Sequence, residues 1–176
     1  MISTDRSILA EGSAAWERMA EYGNLVNELH VFVFSKRKNF QFSTNFQPIF
    51  NDSIPKNVFV HPTNSWSRWL YIFDAYRIAK RRIGNWKLEI GNSRDQQLLI
   101  TSQDPFETGL VGVFLKWRFG VPLQIQIHTD FLNPHFARQS FLNRARALLA
   151  RFTLPRADCV RVVSERVRQS LLKAKS

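Results

Sequence analysis

Three short stretches gather polar side chains that no packing pattern explains: Asp5, Arg6, Gly12 and Ser13 near the start, Gln103, Asp104 and Glu107 in the middle, and His128, Thr129 and Asp130 further on. Each follows an apolar run that reads as a strand. In a doubly wound sheet ligands bind beyond the carboxyl ends of the strands, where the strand order reverses, so these three loops are the expected floor of a binding cleft. An imidazole at a strand end, as His128 is, either satisfies a buried backbone group or hydrogen-bonds a ligand, and both readings stand at this point. Asp104 before Pro105 suits a helix cap, a role compatible with ligand contact. His128, Asp130 and His135 together suggest metal ligation, but no further ligand follows at helical or turn spacing, and no metal is expected. No G-x-G-x-x-G string occurs, which argues against a nicotinamide or flavin enzyme, and no cofactor is expected.

These loops need elements to hold them. Over residues 11–28, Ala15, Met19, Tyr22 and Val26 recur at helical spacing, and residues 29–34 then switch to a β-prone run. Residues 35–55 read as a long loop, and residues 57–61 as a short strand ended by Pro62. Ser65 is the expected cap of a helix whose packed face carries Trp69, Ile72, Phe73, Tyr76, Ala79 and Ile83. Residues 84–97 have no clear pattern. The strand at 98–101 leads through Asp104-Pro105 into a helix lined by Phe106, Leu110, Val113, Phe114 and Trp117, which Gly120 stops. Strand 121–128, helix 136–152, strand 159–163 and a short helix over 164–173 complete the chain. Strands alternating with helices give right-handed βαβ units, so the fold class is α/β, a doubly wound, mostly parallel, Rossmann-like sheet. Only Met1-Ile2-Ser3 remains of the strand that should precede the first helix. The first strand is therefore expected to be largely missing, with the recorded start inside the true one.

A chain of 176 residues with 44% hydrophobic residues can bury one core, and a single domain over 1–176 is the expectation. No run of about 18 apolar residues occurs and the first residues lack a secretory core, while the lone Cys159, in an apolar run, reads as a buried thiol of a reducing compartment. A cytoplasmic protein is expected. The net charge of +11 is uneven, with ten Lys or Arg over residues 133–176 against Asp158 and Glu165, which favours an anionic partner. Arg144, Arg146 and Arg151 lie outside the apolar arc of Phe141, Ala145, Leu148, Leu149 and Phe152. They form either a solvated face or an interfacial helix peripheral at an anionic membrane surface. A basic nucleic-acid-binding module is the competing function class, but no helix-turn-helix, zinc-finger or aromatic RNA-binding signature supports it.

The order and intervals of Thr101-Ser102-Gln103-Asp104-Pro105-Phe106-Glu107-Thr108-Gly109, Gly120-Val121-Pro122, Ile127-His128-Thr129-Asp130-Phe131 and Leu154-Pro155-Arg156-Ala157-Asp158 before Val162-Val163-Ser164-Glu165 resemble the N-terminal domain of glycosyltransferase family 4. Ser3-Thr4-Asp5-Arg6 with Glu11-Gly12-Ser13 and Tyr22-Gly23 resembles the opening loop and first helix of the same family. The resemblance implies a GT-B enzyme that transfers a sugar from a nucleotide-sugar to a glycan or lipid-linked acceptor with retention of configuration. This chain would be its acceptor-side domain, the donor-binding domain lying elsewhere and the piece alone being inactive. On that analogy His128 lies at the cleft floor with Asp130 beside it as the catalytic candidates. Gly12 and Ser13 approach the donor phosphates, and Asp104 and Glu107 face the acceptor or shape its loop.

Overall fold

The computed structural model describes residues 1–37, 56–90 and 97–173. Six strands and six α-helices alternate: β1 (Ile2–Ser3), α1 (Ala14–Gly23), β2 (Leu29–Val33), β3 (Val58–Pro62), α2 (Tyr71–Ile90), β4 (Ile100–Ser102), α3 (Glu107–Phe119), β5 (Leu123–Ile127), α4 (Pro134–Gln139), α5 (Phe141–Thr153), β6 (Cys159–Val162) and α6 (Glu165–Lys173). The strands form one parallel sheet in the order β3-β2-β1-β4-β5-β6, the doubly wound α/β arrangement that the alternation of periods predicts. Although β1 has only two residues, it holds the central position. The Gln103 amide donates to the Ile2 carbonyl at 3.0 Å, and the Phe32 and Phe34 amides donate to the Met1 and Ser3 carbonyls at 2.8 and 3.0 Å.

By its internal packing the chain divides into two compact units, Met1 with Ser3–Lys87 and Ile2 with Leu88–Ser176. In the first, Ile8, Ala15, Met19, Val31, Val33 and Val58 make the core, closing α1 over β2 and β3. In the second, Phe106, Ile127, Phe131, Ala150 and Val167 make a core, with Phe136 and Leu154 packed against it.

Several helices differ from the pattern read in the sequence. The cap before α2 is Ser67, whose hydroxyl accepts the Trp69 amide of a short 3-10 turn, Arg68–Leu70; Ser65 is instead buried, in a bridge to Lys36. The buried stripe of α2 is Tyr71, Ala75, Ala79 and Ile83, at intervals of four, while Trp69 and Phe73 are exposed. The physical reason is shape: two alanines let the helix lie close to its neighbours, which the larger rings would prevent. The helix also runs on through Gly84 to Ile90, so much of the patternless stretch is helical, the rest of it lying largely outside the described residues. Most of the long loop expected over 35–55 is likewise outside them.

The helix expected over 136–152 is two helices, α4 and α5, divided at Ser140, which is fully extended (φ −162°, ψ 158°) and whose hydroxyl accepts the Asn143 amide to start the second. In α3 the buried residues are Thr108, Gly109, Val111, Gly112, Val113 and Leu115, whereas Trp117 is exposed. Gly112 sits so close to β5 that an added Cβ would meet Leu123 Cδ1 at 2.7 Å. Gly120 ends this helix as predicted, in the left-handed region at φ 65°. Cys159 is exposed, because β6 closes one edge of the sheet and its residues are largely uncovered, so the buried-thiol reading is overturned.

Candidate functional site

In the first unit, the loop after β1 is held by its own side chains. Asp5 Oδ1 accepts from the Ser7 amide at 3.0 Å and caps the 3-10 turn Arg6–Leu9. Arg6 donates from Nε to the Phe34 carbonyl at 3.2 Å and from its terminal nitrogen to the Tyr71 hydroxyl at 2.9 Å. Gly12 has φ +72°, a conformation that costs glycine nothing, and a Cβ there would meet no atom within 4 Å. Ser13 is the cap of α1: its Oγ accepts the Trp16 amide at 3.1 Å and donates to the Ser7 carbonyl at 2.6 Å. Ser13 Oγ and Asp5 Oδ1 therefore already serve the loop, while Asp5 Oδ2 lies 3.7 Å from the Arg18 guanidinium.

In the second unit, the ends of β4 and β5 are adjacent in the sheet, so the loops that follow them share one end of it. Asp104 Oδ1 accepts the Phe106 amide at 2.8 Å, and Thr108 Oγ1 both accepts the Asp104 amide (3.1 Å) and donates to its carbonyl (3.0 Å). The helix starts at Glu107, with Phe106 in the cap position and making no side-chain cap bond. Asp104 thus fastens the loop before α3 rather than capping the helix itself. Gly109 permits this closeness, since a Cβ on it would lie 3.0 Å from the Asp104 carbonyl oxygen.

Burial, and next the nearby Glu107 charge, raise the Asp104 carboxyl from its ordinary 3.8 to about 6, against the hydrogen bonds from Phe106 and Thr108. The folded chain then keeps a proton that the unfolded chain releases, so stability falls as pH rises from about 4 to about 6 and stays lower above that. Asp104→Asn keeps the acceptor oxygen and removes the charge. The variant should be more stable than the parent in urea by on the order of 2 kcal/mol at pH 8, allowing for solvent screening, and no more stable at pH 3.5.

Glu107 is paired with Arg146, whose Nε lies 2.9 and 3.2 Å from its two oxygens, while the guanidinium carbon sits 5.8 Å from the Phe106 ring centroid. Arg146 was expected with Arg144 and Arg151 on a solvated or interfacial face. It instead ties α5 to the start of α3, while Arg144 and Arg151 are exposed.

His128 follows β5 directly and is exposed. Its Nε2 lies 3.2 Å from Gln126 Oε1; Gln126 Nε2 donates to Thr101 Oγ1 at 3.4 Å, and Thr101 donates to Gln124 Oε1 at 3.1 Å. Read along the chain, these bonds assign the proton of a neutral His128 to Nε2, because the amide oxygen can only accept. Gln126 therefore holds the His128 ring, a contact that the sequence reading missed. The signal was present: Gln124, Gln126 and His128 alternate with Leu123, Ile125 and Ile127, a period of two that puts three polar groups on one strand face.

Asp130, two residues on, turns toward α6. Its Oδ2 accepts from Ser170 Oγ at 3.3 Å and lies 3.5 Å from Arg166 Nε, while Oδ1 is buried without a hydrogen bond among the described residues. The structure thus brings His128, Asp130, Asp104 and Glu107 to one end of the β4–β5 pair, with Gly12 and Ser13 in the other compact unit. Among the described residues no group of three or more His, Cys, Asp or Glu side chains is placed to hold a metal ion, and no helix is long and apolar enough to cross a membrane.

Residues 55–175 match the family described as Glycosyl transferase 4-like domain, a span that takes in well over half of the chain and every candidate residue after β3. No curated protein matches the chain.

Proposed function

Because the chain belongs to the glycosyl transferase 4-like family, we propose that it forms the acceptor side of a retaining, two-domain GT-B enzyme that moves a sugar from a nucleotide-sugar to a glycan or lipid-linked acceptor. The observation that carries this reading is the family match itself, which spans the loops holding Asp104, Glu107, His128 and Asp130. The ring of His128, exposed at a strand end and fixed by Gln126, is suited to hydrogen-bond a sugar hydroxyl at the reacting centre. Asp130 steadies the loop through α6, and Asp104 and Glu107 shape the neighbouring loop through their bonds to Phe106, Thr108 and Arg146. Gly12, free of nearby atoms at its α-carbon, leaves room for donor phosphates at the start of α1, next to Ser13.

The test is sugar transfer by the protein expressed from its complete reading frame, with a panel of nucleotide-sugars and a lipid and glycan extract as acceptor. Retention is read from the anomeric configuration of the product by NMR. Failure to transfer or hydrolyse any donor of the panel would remove the reading, and an inverted product would remove its retaining part.

A further inference from the structure

We propose that the outer face of α2, with the turn before it, docks on a membrane surface of anionic phospholipid. Three large rings stand out from this face: Trp66 is 86% exposed, Trp69 84% and Phe73 70%. Trp69 and Phe73, four residues apart, share one side of the helical run that begins at Arg68, Trp66 stands in the bend before it, and Leu70 and Leu88 are also uncovered. Isolated exposed apolar residues need no explanation, but three large rings uncovered within eight residues mark an interaction surface. The stripe is not a misplaced core, since Tyr71, Ala75, Ala79 and Ile83 already supply the buried side of the same helix.

The charge beside the rings selects the occupant. Arg68, Arg77, Lys80 and Arg81 are exposed, and among the described residues none of Arg77, Lys80 and Arg81 has a carboxylate partner. Between Trp66 and Leu88 six basic residues stand against Asp74 alone. Arg77, Arg81 and Arg82, together with Asp74, also line a groove of about 540 Å³, with three cations against one carboxylate for a headgroup phosphate. Tryptophan and phenylalanine at the depth of the headgroups, with long basic side chains reaching the phosphates, is the combination that holds a helix in the plane of a membrane. An acidic protein would satisfy the charges but gives no reason for three protruding rings.

This inference is independent of the sugar-transfer reading, because vesicle binding needs no catalysis. The experiment is flotation of the purified protein with vesicles of phosphatidylcholine containing 30% phosphatidylglycerol, against vesicles of phosphatidylcholine alone. Binding should occur only to the anionic vesicles and weaken with salt. It should fall at least tenfold in Trp66→Ser/Trp69→Ser and on the order of a hundredfold in Arg77→Gln/Lys80→Gln/Arg81→Gln, from the electrostatic worth of three basic residues near a charged surface. Arg144→Gln/Arg151→Gln, on the exposed side of α5, should bind as the parent does. All these positions are exposed, and unchanged circular dichroism will show that the variants fold. Binding that persists in both α2 variants, or is lost only in the α5 variant, overturns the proposal. So does equal binding to neutral vesicles, or failure of iodide to quench Trp66 and Trp69 in the free protein, which would mean the face is already covered.

Discussion

On the proposed transfer function, replacing His128 by alanine should lower turnover by on the order of a hundredfold and leave the melting temperature within about 2 °C of the parent. The two halves of this expectation rest on different observations. His128 is exposed, so truncation leaves no cavity; surface changes of this kind stay within about 0.5 kcal/mol. A ring held by a buried amide is oriented before the substrate arrives, and removing one such preorganised partner of the reacting group is worth about two to three powers of ten in turnover. The loss should fall on kcat more than on KM if the ring acts mainly as charge shifts at the reacting centre. Gln126→Leu, which unseats the ring without deleting it, should cost less than His128→Ala. A melting temperature that drops in step with activity would assign His128 to the fold and end its role in the site.

What the sequence made legible follows from which physical signals are local. The doubly wound parallel sheet was readable because alternating βαβ units admit few topologies, and the α3 stop was readable because Gly120 suits a left-handed cap. The positions of the loops carrying Asp104 and His128, after β4 and β5, were readable because strand ends are marked by the change of period. The inward face of α2 was not readable by choosing its largest apolar residues, since Ala75 and Ala79 are buried by fit and Trp69 and Phe73 excluded by size. Ser140 gave no warning of a break, as serine is tolerated inside a helix and only tertiary packing makes it extended. The pairing of Arg146 with Glu107, 39 residues apart, leaves no trace in periodicity at all. Charge partners set by tertiary contact are the part of a site that a single sequence conceals, and they decide here which arginines of α5 remain exposed.

Acid should destabilise the unit built on β2 and β3, beginning near pH 6.5, through a pair of histidines outside the candidate site. His30 on β2 and His61 on β3 face one another across the strands, with His30 Nδ1 2.9 Å from His61 Nε2, ring planes 2° from parallel, and Phe32 and Phe59 stacked against them. One nitrogen of the contact must donate and the other accept, so the accepting ring must be neutral; a proton on the acceptor would set two donors face to face. Burial, followed by the charges of His30 and Arg82, lowers His61 from its ordinary 6.5 to about 3, and burial lowers His30 as well, against the Glu28 carboxylate 3.3 Å from its Nε2. Below pH 6.5 the unfolded chain takes up a proton that the folded chain refuses, so stability is lost as pH falls from about 6.5 toward 3, at a slope approaching 1.4 kcal/mol per pH unit, roughly, and about 4 kcal/mol in all. That is a large part of the net stability of an ordinary domain. His61→Phe keeps a ring against Phe32 and loses the bond to His30, which should cost about 1 kcal/mol at pH 7.5. In acid it no longer carries the penalty, so the stability curves of parent and variant, from urea unfolding between pH 7.5 and 4, should cross. The opposite pH trend of Asp104 partly offsets the effect between pH 4 and 6, and the comparison is therefore sharpest in an Asp104→Asn background. Parallel curves that never cross would show that the pair is solvated in the folded chain and places the acid sensitivity elsewhere.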